Sequence, residues 1–261
     1  MIQMIHETNI RTLLRTFLST VGTLRMTQSR TLRRTQTVAA AIAVVALVLL
    51  ASLFPSSASA KPAPPAPASF FGIVPQTGIT ENDLKLMRSA RVGAVRIPVN
   101  WPEIEPTPGI YRWEALDSLI QSLSSLGVFI MPVVYGSPPW IDLDYKDMPV
   151  DNAAERRAWA RFCGDLVRRY GPGSHFWRSR PDLTPRPLRV WQIWNEANDH
   201  YFSHAKVGDY AQLLNVSYPA IKTVAPKAKV ILSGLYSTPV ARPPKAMPAT
   251  GFLRRLYKRP G

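Results

Sequence analysis

The stretch Val190-Trp191-Gln192-Ile193-Trp194-Asn195-Glu196-Ala197-Asn198 begins as an apolar run and ends in amides and a carboxylate. Branched and aromatic side chains predict a strand over 188–194. No glycine or proline turn closes it, and the strand runs directly into Asn195 and Glu196. Tryptophans at 191 and 194 take water away from the Glu196 carboxyl, and a desolvated carboxyl keeps its proton to higher pH. An acid of that kind at a strand end is a candidate proton donor. The competing reading is a glutamate that caps the next helix or pairs with an arginine. The strand position alone leaves both open.

Outward from this stretch the chain alternates. Further strands are predicted over 70–74, 94–99, 128–135 and 229–235. Helices are predicted over 81–91 with Thr80 as N-cap, 115–126 closed by Gly127, 153–170 ended by Gly171-Pro172-Gly173, 207–224, and from 251 to 257. Strand and helix in alternation imply parallel strands with crossover helices. Near-continuous apolar strands imply that both sheet faces are covered. No glycine-rich phosphate loop succeeds any strand, which weighs against a doubly wound nucleotide binder. Strands two to four instead run out into Trp, Pro, Tyr, Asn and Glu, and in a barrel the loops after the strands build the site. The expected fold is α/β: a (β/α)8 TIM barrel, incomplete, with about five βα units over 70–261.

Two further segments precede that domain. Residues 1–60 read as a signal peptide or an N-terminal anchor. The apolar run 38–54 comes after Arg30, Arg33 and Arg34 and precedes Ala58-Ser59-Ala60, the three parts of an export signal. Cleavage after Ala60 gives a secreted protein. An uncut run tethers it to the extracellular face of the membrane through 38–54, a length at the lower limit for a span. Met26 is the more ordinary start for such a leader. Residues 61–69 form a proline- and alanine-rich linker.

Cys163 is the only cysteine, so no internal disulfide forms, and its helical setting predicts a buried thiol. The net charge is +15, and after Asp209 the chain has no acid while lysine and arginine accumulate. That charge suits a polyanion, but no nucleic-acid motif accompanies it, so a solvated basic surface is expected and no nucleic-acid partner.

Three other motifs stand at strand ends. Val95-Arg96-Ile97-Pro98-Val99-Asn100-Trp101 belongs to the second strand. Trp101-Pro102-Glu103-Ile104-Glu105-Pro106 and Gly109-Ile110-Tyr111-Arg112-Trp113 come next. Gly136-Ser137-Pro138-Pro139-Trp140 lies after the third. With Asn195-Glu196 after the fourth, the sequence resembles clan A glycoside hydrolases, in the style of the family 39 and family 5 xylosidases, glucosidases and cellulases. The resemblance covers most of the chain from Phe70. It implies a retaining hydrolase of O-glycosyl bonds with an oligo- or polysaccharide substrate and no cofactor. Glu196 would be the general acid/base and Asn195 would bind the sugar hydroxyl next to the anomeric carbon. Arg96 would orient and charge-balance the nucleophile. Trp101, Tyr135 and Trp140 would offer apolar faces to the sugar, although Trp101 and Trp113 read equally well as loop packing. Glu103 and Glu105 read as scaffold. His200 and His204 lack a third ligand, so no metal is expected.

One part of the family pattern has no counterpart. The clan's nucleophile is a glutamate ending strand seven, whereas five strands are predicted here and no carboxylate occurs after Asp209. A retaining mechanism needs two carboxyls about 5–5.5 Å apart. Asp199 sits on the same loop as Glu196 and substitutes poorly. The expectation is therefore a glycosidase by ancestry whose chain alone does not turn over substrate. A non-catalytic cell-surface glycan-binding remnant and a basic cell-envelope interaction protein are the alternatives.

Overall fold

The computed structural model describes residues 66–67, 70–204, 206–237 and 246–259. The expected leader, its cleavage site and most of the linker lie outside the described residues. Among the described residues no helix is long and apolar enough to cross a membrane.

Five strands form one sheet: β1 (Gly72–Ile73), β2 (Ala94–Asn100), β3 (Phe129–Tyr135), β4 (Val190–Ile193) and β5 (Lys229–Ile231). They pair in parallel, in sequence order. The helices are α1 (Glu81–Ser89), α2 (Trp101–Ile104), α3 (Glu114–Ser125), α4 (Ala153–Tyr170), α5 (His175–Arg178), α6 (Val207–Val224) and α7 (Ala249–Leu256). A doubly wound sheet reverses its strand order at a switch point. This sheet never reverses, which is the progression of a (β/α) barrel wall, as expected.

Register assigns the two faces. Val133 pairs with Gln192, which pairs with Ile231, and Arg96 pairs with Met131. Side chains alternate with period 2, so Arg96, Pro98, Val133, Gln192 and Ile231 share the inner face. Val95, Ile97, Val99, Ile130, Val134, Trp191 and Ile193 point outward and are buried. They meet Trp159, Phe162 and Leu166 of α4 and Leu213 of α6 in one core. Apolar burial on this scale is the main stabilising term of the domain. Trp159 Nε1 donates to Ser217 Oγ at 2.7 Å, tying α4 to α6. Cys163 is buried in that seam, where burial pushes its thiol far up.

Local signals placed some helix ends. Thr80 closes a capping box with Asp83 at the start of α1. Asn152 accepts from the backbone of Ala154 and Glu155 at the start of α4. Two elements were not expected, the single-turn helices α2 and α5. Three strands are also clearly shorter than their apolar runs: β1 spans only Gly72–Ile73, β4 stops at Ile193 and β5 at Ile231. For β4 the reason is a backbone reversal at Trp194.

Candidate active site

Trp194 and Glu196 both have positive φ, 66° and 39°. Side chains at such values cost about 1–3 kcal/mol each and persist only where the surroundings over-determine them. Here they do. Trp194 N still bonds Val134 O, and its ring is buried with Nε1 on Phe202 O at 2.9 Å. Glu196 N then reaches across to Gly234 O beyond β5. Asn198 holds the far side, donating from Nδ2 to Tyr236 O and Met247 O and accepting Tyr236 N at Oδ1. From α6, the Tyr210 hydroxyl donates to Ile193 O and accepts from Ser233 N, pinning the ends of β4 and β5 together. The strain aims the Asn195 and Glu196 side chains off the strand end.

Arg96 reaches this turn from β2. Its Nε donates to Gln192 Oε1 at 3.0 Å and its Nη2 to Asn195 Oδ1 at 2.7 Å. Gln192 Nε2 in turn donates to Trp194 O at 3.1 Å. Burial pulls the guanidinium pKa down, against the charges of Glu196 and Tyr135. The Glu196 carboxyl is pushed up, first by burial and then by Asp199, with Arg96 opposing. The direction is the one the sequence predicts, but Trp191 points outward into the core and the Trp194 ring packs near Trp159. Tyr135 ends β3 beside them, its phenol pushed up mainly by burial and then by Glu103, and lowered by Arg96.

Arg96, Tyr135, Asn195 and Glu196 thus meet at one sheet end. Trp101 does not join them. It is 0% exposed, stacks on Phe162 with ring centroids 5.2 Å apart, and donates from Nε1 to Glu105 Oε2 at 2.7 Å. It packs beneath the site, out of a sugar's reach, because the adjoining α2 turn folds it inward. Trp140 is half-buried, edge-on to Trp101, with Nε1 on Glu105 O at 2.9 Å. Glu105 is the scaffold residue expected: 0% exposed, it also accepts Gly109 N and pairs with Arg161. The two histidines face different acids, His200 near Asp199 and His204 near Asp144 and Asp147. No group of three or more metal-ligating side chains occurs among the described residues.

Gln192 escaped the sequence reading. Its signal is a lone amide inside an apolar strand, which only the register turns into a partner for Arg96.

The glycoside hydrolase 42 family model, described as beta-galactosidase, matches residues 74–165. That span holds Arg96, Trp101, Tyr135 and Trp140 and stops before β4. A beta-galactosidase of Geobacillus kaustophilus is 29% identical over 138 residues, covering 45% of this chain and 19% of that protein. The crystal structure of a glucosidase from Croceicoccus marinus superposes with a TM-score of 0.50 at 15% identity, covering 71% of this chain and 40% of that one. A family 39 glycoside hydrolase from Bacteroides cellulosilyticus gives a TM-score of 0.48 at 19% identity, over 64% of this chain and 31% of its own. The chain therefore spans well under half the length of each of these relatives.

Proposed function

We propose that this chain, a relative of the glycoside hydrolases with the sheet and helix order of their barrel, takes glycosides at the C-terminal ends of β2, β3 and β4, with Glu196 as the general acid/base for an O-glycosidic bond. One observation carries this reading: Arg96 and Asn195 are bonded to each other beside a half-buried glutamate on a strained turn. Arg96 occupies Asn195 Oδ1, so Nδ2 is the amide group left to donate to a sugar hydroxyl. Burial raises the proton affinity of the Glu196 carboxyl, whose acid form can pass a proton to the leaving oxygen; the carboxylate then draws a proton from water. Tyr135 supports the sugar from β3. Covalent retention needs a second carboxyl about 5–5.5 Å away. Asp199 lies three residues on in the same turn and does not face Glu196 across the sheet. Binding and cleavage are therefore separate expectations for this chain.

The test is to titrate the purified chain with aryl β-glycosides while tracking both binding and aryl release. Any release should fall about 10²–10⁴-fold in Glu196→Gln, the usual worth of a general acid, with binding kept. Binding without release, unchanged in Glu196→Ala, would favour the glycan-binding reading. If no glycoside binds, both readings fail. A position outside the cytoplasm, secreted or tethered, rests on the leader residues alone, and N-terminal sequencing of the exported protein tests it.

A further inference from the structure

Beyond the acid and its partners, the rim carries two exposed tyrosines from different loops. Tyr145 is 40% exposed on the loop after β3, and Tyr201 is 62% exposed on the loop after β4. Both rings flank one cation: Lys146 Nζ stands 5.8 Å from the Tyr145 centroid and 6.0 Å from that of Tyr201. The Tyr145 hydroxyl reaches toward Tyr201 O at 3.5 Å, so the loops meet there. Each ring is held on short, fixed backbone. Tyr145 O accepts Ser137 N at 3.0 Å, directly after β3. Tyr201 N donates to Asp199 Oδ1 at 2.8 Å, and its ring stands edge-on to Phe202, whose carbonyl takes the buried Trp194 Nε1. Phe202 in turn packs edge-on against Tyr135, and Tyr135 feels both rim tyrosines electrostatically. The pair therefore borders the Arg96–Asn195–Glu196 cluster on its β3–β4 side.

We infer that Tyr145, Lys146 and Tyr201 form a second sugar-binding position, which takes the next residues of a neutral, extended saccharide whose terminal ring lies at Glu196. This rests on the glycoside reading above and specifies its substrate class. The chemistry fits a sugar twice over. Aromatic faces take the C–H face of a pyranose ring at little conformational cost, since each tyrosine has two side-chain torsions. The ammonium between them offers three donors to ring hydroxyls. The same loop argues against an acidic sugar. After burial, Asp142, Asp144 and Asp151 push the Asp147 carboxyl up against the opposing pull of His204, so a further anion would meet like charge there. Both tyrosines project from the surface, so truncating them leaves the core intact.

The experiment measures affinity against chain length by isothermal titration. The ligands are methyl β-glucoside and methyl β-galactoside, then the β-linked di-, tri- and tetrasaccharides of each, with full chain. Affinity should rise with added rings, and Tyr201→Ala and Tyr145→Ala should each remove about five- to tenfold of that rise, the worth of one stacked ring. The single-ring glycoside should bind both variants as it binds the parent. Tyr201→Trp should keep the length dependence. A parent whose affinity is flat from one ring to four overturns the inference and leaves the glycoside reading standing. So do variants that weaken single-ring and oligosaccharide ligands equally. Failure of every glycoside to bind the parent overturns both.

Discussion

Glu196 is held by a turn that its own side chain does not favour, in surroundings that disfavour its charge. Its raised pKa means that the folded state binds the proton more tightly than the unfolded chain. Stability then falls as pH rises through the window between the two values, and the loss is complete above the folded value. Replacing the acid by an amide of the same shape removes that loss. Glu196→Gln should raise the unfolding midpoint by about 1–2 °C at pH 7, small because the group is partly solvated. The gain should vanish below the ordinary carboxylate range, where both states are protonated. Scanning calorimetry of both proteins from pH 3.5 to 8 checks this, and a gain independent of pH would rule out the titration as its cause. Gly136 gives a second test at this scale. Its φ is +85°, and a Cβ there would stand 2.7 Å from Asn100 Oδ1 and 3.1 Å from Pro102. Gly136→Ala should cost about 1–3 kcal/mol in denaturant unfolding, through backbone strain and that contact together.

At the scale of elements, the loop after β2 is built around one buried carboxylate. Glu105 satisfies the Trp101 indole, the Gly109 amide and the Arg161 guanidinium. Glu105→Leu would leave those donors unmatched, one of them, the Trp101 indole, inside. A loss of about 1–3 kcal/mol is expected in chemical denaturation, the cost of leaving a buried donor unsatisfied. The elements themselves were legible where one signal dominated. Helices α4 and α6 run over the residues that periodicity predicts, because one face of each is apolar, and α4 also ends at its predicted Gly171. The β4 strand was overextended because Trp194 looks like strand sequence, whereas its left-handed backbone is imposed by neighbours far along the chain. The site was legible in type and less so in detail. Asn195 and Glu196 follow the end of β4, where pattern locates them, whereas Arg96 lies inside β2 and was singled out by the family resemblance. That Trp101 faces inward depends on the α2 turn, which four residues of sequence hardly mark. That Gln192 serves Arg96 depends on register, which no single strand encodes.

At the scale of the molecule, the two faces of the sheet differ. The outer face is sealed by helices. By contrast, Phe70 and Phe71 are 67% and 70% exposed next to β1, and Phe129 at the start of β3 and Leu232 just after β5 are exposed too. Apolar surface of this kind promotes association, and edge strands add unpaired backbone groups. Sedimentation velocity on the chain should reveal concentration-dependent self-association, and an apolar dye should bind it strongly. A monodisperse monomer that ignores the dye would mean those surfaces are covered in solution. The strand order has a further consequence, for synthesis. Each strand pairs with the one made just before it, so βα units can dock one after another as the chain emerges, with mostly local contacts. The bond from Arg96 to Asn195 is different: it closes a span of 99 residues. A ribosome must travel that distance before the guanidinium finds its amide, so the wall can stand complete to β3 while its chemistry still waits to be translated.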